Sequence, residues 1–152
     1  MTYAGFWKRF AAILIDGVIL WVVDLFLLVP FLGMLGLGIF TSAMNDGEPS
    51  PGMIMSIIGA YMGSLVLICI AGWLYFAIME SSVKQATLGK MALGIIVTDM
   101  NGQRISFGRA TGRYFGKILS ALILYVGYIM AGFTEKKQAL HDIIASCLVV
   151  NK

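Results

Sequence analysis

The chain has 152 residues, of which 59% are hydrophobic and 12% are charged, and its formal net charge is +3. Soluble domains are about 45–50% apolar and about 25% charged, so this composition excludes an ordinary water-soluble domain and predicts one integral membrane domain over residues 1–152. A nucleic-acid partner is disfavoured, because the aromatic residues lie within the apolar stretches and not beside a basic stripe.

The first apolar segment covers residues 10–39. Phe10 to Val29 would form about 30 Å of helix, which matches the hydrocarbon thickness of a bilayer. The glycine-spaced sequence PFLGMLGLGIF follows, and it predicts a kink or an interfacial segment. A polar, turn-rich loop with Asp46 and Glu48 comes next.

The second apolar segment, residues 53–79, has no charged residue and predicts a second spanning helix. It contains Gly59 and Gly63 in the sequence GAYMG, and Gly112 and Gly116 repeat this spacing in the third segment. Small residues four apart let helix backbones approach closely. The spacing favours packing within the chain over a contact between copies, although it does not itself choose the partner.

The third apolar segment, residues 112–133, is short, since only residues 118–133 are free of charge and Gly127 permits a bend. It is predicted to cross the membrane or to re-enter it as a broken helix. The fold class is therefore an all-α membrane protein with two full transmembrane helices, a third spanning or re-entrant segment and a small cytoplasmic β-hairpin.

Lysine and arginine are concentrated at the amino end and in the loop of residues 80–111, whereas the first loop has neither. The positive-inside rule then places the N-terminus and residues 80–111 in the cytoplasm of a multi-pass protein of the cell membrane. If the third segment crossed the membrane, Lys136 and Lys137 would lie outside, against the positive-inside rule. The two lysines therefore favour a cytoplasmic tail, which requires the third segment to re-enter.

The sequence GIIVTDMNGQRISFG predicts a hairpin with a two-residue turn at Asn101-Gly102. In that register Asp99 faces Arg104, Thr98 faces Ile105 and Ile96 faces Phe107. A lone hairpin is marginal in water. The tail sequence SCLVV is predicted to add a strand to it.

Two aspartates, Asp16 and Asp24, lie inside the first apolar segment. Charged groups in a membrane usually face a bundle interior and mark ion or proton pathways. Asp16 is predicted to point towards Arg9, with Arg113 or Lys117 as a further base. The alternative interpretation of equal weight is a structural ion pair that fixes helix packing.

Enzymatic activity is not predicted, and neither are catalytic, cofactor-binding or metal-binding residues. His141 is the single histidine, and the adjacent side chains of HDIIAS diverge on any regular element. Cys69 and Cys147 show no metal-ligand spacing and are interpreted as small buried apolar residues.

Three blocks of sequence, GFWKRFAAILIDGVIL, TLGKMALGIIVTDMNG and ALHDIIASCLVV, resemble the RDD family of small bacterial membrane proteins. The family is named for one arginine and two aspartates, which the resemblance assigns to Arg9, Asp16 and Asp142. It implies a membrane protein whose molecular function is largely unassigned, with transport of unidentified ligands suggested. Cys147 stands where the family often has threonine.

The leading functional hypothesis is transport of a ligand, a cation or a proton through a polar site centred on Asp16. The alternative is a non-enzymatic accessory or scaffold subunit that binds another membrane protein through its small-residue helix faces. Beyond the lipid bilayer, the predicted partners are further copies of the chain or another membrane protein.

Overall fold

The computed structural model describes residues 2–44, 47–48, 50–123 and 126–152. The predicted fold class is confirmed: two long apolar helices, a bent third segment and a small antiparallel sheet are present. A short 3₁₀ turn, Met130–Gly132, follows α5 directly. The elements in chain order are α1 (Phe6–Met44), α2 (Pro51–Ser81), α3 (Leu88–Ala92), β1 (Ile95–Asp99), α4 (Phe107–Leu122), α5 (Val126–Ile129), α6 (Leu140–Ile144) and β2 (Cys147–Asn151).

Both long helices are long and apolar enough to cross a membrane, and they contain the two apolar segments predicted for them. The helix α1 has 39 residues and continues through Pro30, so PFLGMLGLGIF belongs to it. At 1.5 Å per residue it extends about 58 Å, well beyond a hydrocarbon layer of about 30 Å. Of the two acids predicted in the following loop, Asp46 lies outside the described residues.

The third apolar segment bends by 117° between α4 and residues 126–132. Ser106 begins α4 as its N-cap, because its Oγ accepts a hydrogen bond of 3.3 Å from the Arg109 amide. Arg113 and Ser120 on this helix are buried, whereas Phe115 and Leu122 are exposed. Polar side chains thus face inwards and apolar side chains face outwards, the reverse of an amphipathic helix in a soluble protein. This arrangement suits a helix whose outer face contacts lipid.

The predicted hairpin pairing is wrong. β1 pairs antiparallel with β2, and Thr98 faces Leu148 and Ile96 faces Val150 in that register. A turn does form after β1, where Asp99 Oδ1 accepts the amides of Asn101 and Gln103 at 2.8 Å. It leads into α4, with Phe107 as the first helical residue.

The partners predicted for the first hairpin strand also change. Asp99 lies 3.9 Å from Arg109 in place of Arg104, and Ile105 is buried without belonging to a strand. The predicted contribution of SCLVV to the sheet is confirmed, since residues 147–150 are most of β2.

The amino end completes the sheet on the far side of β2. The Ala4 amide donates to the Val149 carbonyl at 2.9 Å, and the Asn151 amide donates to the Thr2 carbonyl at 2.9 Å. The first residues, the segment after α2 and the tail therefore belong to one compact unit. Its core consists of small and β-branched residues: Ala4, Ala12, Ala77, Ile95, Val97, Ile105, Ala110, Cys147 and Val149.

Two compact units divide the chain, and both long helices pass from one to the other. Unit 1 contains Met1–Val18 and Trp73–Lys152, and unit 2 contains Ile19–Gly72. Within unit 2 the Ser42 hydroxyl lies 3.2 Å from the Met53 sulfur, which joins the end of α1 to the start of α2.

Candidate functional site

Asp16 is buried in unit 1, with 1% of its surface exposed. Its Oδ2 accepts a hydrogen bond of 2.5 Å from the Thr87 hydroxyl. Its Oδ1 accepts two more, 2.7 Å from the Gly89 amide and 2.8 Å from the Tyr75 hydroxyl. Asp16 makes no ion pair with Arg9, the base towards which it was predicted to point, because neutral donors of Tyr75, Thr87 and Gly89 bind its carboxylate.

Gly89 makes this arrangement possible. A Cβ atom at residue 89 would lie 2.3 Å from the Ala12 carbonyl oxygen and 2.9 Å from Asp16 Cγ. Backbone therefore packs against backbone where α3 meets α1, and only glycine fits. The short α3 brings the next residue, Lys90, to the second part of the site.

Arg9 pairs with Asp142, 133 residues further along the chain. Its Nη1 contacts Asp142 Oδ2, while its Nε donates to the Ala4 carbonyl at 3.0 Å. Arg113 approaches the other carboxylate oxygen, with its Nε 2.9 Å from Asp142 Oδ1. The Ala139 amide donates to Oδ2 at 3.1 Å, so Asp142 is held by two guanidinium groups and the start of α6.

Glu80, near the end of α2, gathers three cations. Lys90 Nζ contacts its Oε1, and Lys117 Nζ lies 3.4 Å from the same oxygen. Arg113 Nη1 lies 3.5 Å from Oε2, so Arg113 joins the Glu80 and Asp142 groups. Lys117 Nζ also lies 3.9 Å from the centre of the Phe76 ring, a cation–π contact.

These six side chains form what we call the charge network: Arg9, Glu80, Lys90, Arg113, Lys117 and Asp142. All are buried except Lys117, whose side chain keeps 15% of its surface exposed. Removing ions from water costs several kcal/mol each, and mutual attraction offsets this only with good geometry. Because of this desolvation cost, stability alone is a weak reason for such a network, and the network is a candidate functional site.

Burial and charge shift the pKa values of the network groups that lie outside the apolar segments. Burial lowers the pKa of Lys90 to about 7, against the opposing attraction of Glu80. Burial alone would raise the pKa of Asp142, but the charges of Arg113 and Arg9 outweigh it and hold that pKa well below its usual range. With a pKa of about 7, Lys90 can exchange a proton near neutral pH.

A cavity of about 370 Å³ adjoins the network within unit 1. Its charged wall includes Arg9, Lys90, Arg113 and Lys117, with Asp16 beside them. The rest of the lining is mainly apolar, from α1, α2, the bent third segment and β2: Phe6, Phe10, Ile13, Phe76, Ile129 and Val149. A largely apolar cavity with a few convergent polar groups is typical of a ligand site.

His141 lies between Ser120 and Asp142, at 3.3 Å from Ser120 Oγ and 3.6 Å from Asp142 Oδ1. Burial lowers the pKa of His141 to about 3, so the ring is neutral at pH 7 and a weak base. Ser120 is fully buried and donates to the Gly116 carbonyl at 2.9 Å. The arrangement therefore lacks an accessible nucleophile. Within the described ranges, no cluster of three potential metal ligands occurs.

The remaining predicted residues lie apart from the network. Asp24 is half-buried in unit 2, and its carboxylate has no hydrogen-bond or ion-pair partner in the described part of the chain. A Cβ at Gly59, Gly63 or Gly112 would meet open space within 4 Å. Gly116 differs, since a Cβ there would lie 3.0 Å from the Cβ of His141.

Sequence reasoning missed Glu80, Lys90, Thr87 and Gly89 as members of the site. Glu80 could have been recognised from the sequence, because it is the first charged residue after the second apolar segment, residues 53–79. The other three lie in the TLGK sequence that carries part of the family resemblance, but spacing alone does not reveal their contact with α1.

Comparison with known proteins assigns the family. The model of the RDD family matches residues 3–146, which confirms the resemblance. The chain is 38% identical over 150 residues to the uncharacterized protein YxaI of Bacillus subtilis (strain 168), covering 98% of this chain and 97% of that protein. It is 31% identical over 157 residues to the uncharacterized membrane protein YteJ of the same strain, covering 99% and 82%. No solved structure matches with statistical significance. The chain is a membrane protein that belongs to the RDD family.

Proposed function

We propose that the chain is a component of a membrane transport system that binds a charged ligand, a cation or a proton at the charge network beside Asp16. The observation that carries this proposal is a network of six charged side chains, five of them buried, next to a cavity of about 370 Å³. Asp16, Arg113 and Lys117 lie within the apolar segments, and charged residues there usually face a cavity and belong to ion or substrate pathways.

In this proposal Asp16 positions the site and the network carries the charge. Two hydrogen bonds to Asp16 hold Thr87 and Gly89 against α1, and Lys90 follows directly; the third comes from Tyr75 on α2. Lys90 can change its protonation near pH 7 beside Glu80, Arg113 and Lys117. Proton uptake there would change the charge balance of the cavity wall, which is the property a coupled transporter needs.

The test is flux through the purified chain in liposomes that contain a pH-sensitive dye. Gradients of sodium, potassium and protons are imposed in turn, and the initial rate of dye response is measured. Replacing Lys90 by Gln should lower the rate at least about tenfold, since a charge-assisted contact is worth about 1.5–3 kcal/mol. Lys84→Gln is the matched control, because Lys84 is an exposed lysine of the same loop. Equal rates in empty liposomes and in liposomes with the chain would contradict the proposal.

The proposed location is the cell membrane, with the N-terminus, residues 80–111 and the tail in the cytoplasm. The lysine and arginine distribution supports this orientation. Two long helices and a bent segment are few for a complete pathway, so we also propose that the transporting form is an oligomer of this chain. The role assigned to it is non-enzymatic.

The second candidate function is an accessory subunit that binds another membrane protein. It is favoured by the open space in front of Gly59 and Gly63, where a second helix could approach. Gly63→Leu would block such an approach. If this candidate is right, a protein that co-purifies with the wild-type chain in mild detergent should be lost in Gly63→Leu, while flux by the chain alone is absent.

A further inference from the structure

We infer that the cavity of unit 1 binds an anion carried on an apolar chain, with its phosphate or carboxylate head held by Arg9 and Arg113. The inference gives a chemical class to the ligand of the proposed function, and it rests on that function. Three observations support it: surplus hydrogen-bond donors, surplus positive charge, and an apolar wall that reaches the surface of the spanning helices.

Donors exceed acceptors at the charged end of the cavity. In the described part of the chain, the buried side-chain atoms without an aligned hydrogen bond are Arg9 Nη2, Arg113 Nε, Arg113 Nη1 and Asp142 Oδ1. Arg113 Nε and Asp142 Oδ1 are 2.9 Å apart and attract each other as ions despite poor alignment. Arg9 Nη2 has no partner, and its residue is more than nine-tenths buried and lines the cavity. A ligand with anionic oxygens satisfies these donors, because it accepts hydrogen bonds and donates none.

Positive charge also exceeds negative charge. Arg9, Lys90, Arg113 and Lys117 stand against Glu80, Asp142 and Asp16, which leaves one positive charge when Lys90 is protonated. Asp16 contributes little to this balance locally, because its oxygens already accept from Thr87, Gly89 and Tyr75. Buried charge without a counterion is costly, so binding of one anion is favourable.

The apolar part of the wall points to the source of the ligand. Phe10 and Ile13 on α1 and Ile129 on α5 line the cavity, yet 44%, 42% and 46% of their surfaces are exposed. They therefore belong both to the cavity and to the outer surface of the apolar segments. An acyl chain can pass between them into hydrocarbon while its head stays at the guanidinium groups. A free inorganic anion would make no apolar contact with this wall.

The planar fork of an arginine matches a carboxylate or a phosphate equally well. The ligand is accordingly either a fatty acid or an anionic phospholipid with a phosphomonoester head, two sources of the same chemistry. The probes are oleate, dioleoyl phosphatidate, dioleoyl phosphatidylcholine and inorganic phosphate, added to the full chain in a nonionic maltoside detergent. The measurement is the Tm of the chain as a function of probe concentration.

Oleate, dioleoyl phosphatidate or both should raise the Tm by several degrees, because a ligand of the folded state stabilises it by mass action. A shift with oleate alone identifies a fatty acid, and a shift with phosphatidate alone identifies the phospholipid. Phosphatidylcholine has the same tails with a cation beside its phosphate and should give no shift. An equal shift with phosphatidylcholine, a shift with inorganic phosphate alone, or no shift at all would overturn the inference.

Lys117→Gln separates anion binding from a structural role. This change leaves three cations against three carboxylates, so the affinity for the anionic probe should fall about tenfold or more. Without the probe, the Tm should stay equal or rise, because a surplus charge has gone. A merely structural lysine would lower the Tm of the free chain and leave the affinity unchanged, and that result would contradict the inference. Lys84→Gln again serves as the control.

A variant of the apolar wall keeps the inference testable if charged variants fail to fold. Ile13→Trp adds volume at a partly exposed position of the cavity wall and should lower the affinity for the same probe. Unchanged affinity in both Ile13→Trp and Lys117→Gln would overturn the inference. Binding in detergent without flux in liposomes rejects only the transport proposal, whereas flux without anion binding rejects only this inference.

Discussion

Single residues show where sequence reasoning succeeds and where it ends. Arg9, Asp16 and Asp142 were singled out from the sequence, and all three are buried charged residues in the structure. Asp16, seven residues away on the same helix, was predicted to point towards Arg9. The actual partner of Arg9, Asp142, lies 133 residues away. Helical spacing gives the face on which a charge lies, but it cannot give a partner that a distant segment supplies.

Asp142→Asn should destabilise unit 1 by about 3–5 kcal/mol, because it leaves the buried Arg9 guanidinium without its counterion and Arg113 with Glu80 alone. The double variant with Arg9→Gln should recover part of that loss. The measurement is the Tm of the purified chain in detergent. Asp24→Asn is the matched control, and its Tm should be close to that of the wild type. A double variant less stable than Asp142→Asn would refute the assigned pairing.

Gly89→Ala should destabilise the contact between α1 and α3 by about 1–3 kcal/mol, the usual cost of overpacking. The added methyl group would overlap the Ala12 carbonyl oxygen, which cannot move without its helix. Gly17→Ala is the control, because a Cβ there meets nothing within 4 Å. Alanine is a better helix former than glycine, so Gly17→Ala should be neutral or stabilising. Equal Tm values for the two variants would disprove the close contact.

Acid should destabilise the chain through His141. Its folded pKa is about 3, below the ordinary value of 6.5, so between these values the unfolded chain binds a proton that the folded chain does not. Stability therefore falls as the pH is lowered through this window, and the lowered pKa of Asp142 adds a further loss below about pH 4. His141→Gln should show a smaller fall in Tm between pH 7 and pH 5 than the wild type. Parallel curves would contradict the neutral buried ring.

The sequence predicted which secondary structure elements occur more accurately than it predicted how the strands pair. The two long helices follow from continuous apolar sequence, which needs no partner to be recognised. β1 was also recognised, but its neighbour was taken to be the segment next in sequence. Residues 103–106 instead lead to the Ser106 cap of α4, and the tail supplies a strand with three consecutive buried apolar residues, Leu148, Val149 and Val150. Burial of Val97 and Val149 decided the pairing, and burial is a tertiary property.

Removal of residues 147–152 should open unit 1. Ile95 and Val97 would lose their β2 partners, and the Ala4 amide would lose the Val149 carbonyl. We expect the segment between α2 and α4 to become sensitive to protease in detergent. A chain that lacks only Lys152 keeps every paired residue of the register and should resist digestion. Equal resistance of the two truncated chains would show that β2 is dispensable.

At the scale of the whole molecule, the sheet constrains the topology. Residues 2–4, β1 and β2 are joined by hydrogen bonds within unit 1, so both ends of the chain and the segment after α2 must lie on the same side of any membrane that α1 and α2 cross. Charge distribution alone left the side of the tail open, because the third apolar segment is close to spanning length. A bend of 117° between α4 and residues 126–132 fits a segment that turns back and does not cross.

Cysteine labelling can check this topology in right-side-out vesicles of a chain with Cys69→Ala and Cys147→Ala. An impermeant maleimide should label Ser50→Cys, which lies between α1 and α2. It should leave Lys84→Cys and Lys152→Cys unlabelled until the vesicles are opened. Labelling of Lys152→Cys but not of Lys84→Cys in sealed vesicles would place the tail on the opposite side from the segment after α2 and would contradict the pairing of β2 with β1.

The hydrogen bond between Thr2 and Asn151 joins two segments that are synthesised 149 residues apart. While the ribosome is still making the tail, α1 and α2 can already enter the membrane, but Arg9 and Arg113 have no Asp142 to pair with. Unit 1 therefore closes only after β2 has been synthesised. Until then the cations that the finished unit buries remain exposed to water. Membrane proteases can recognise unfinished or truncated chains by these unpaired charges.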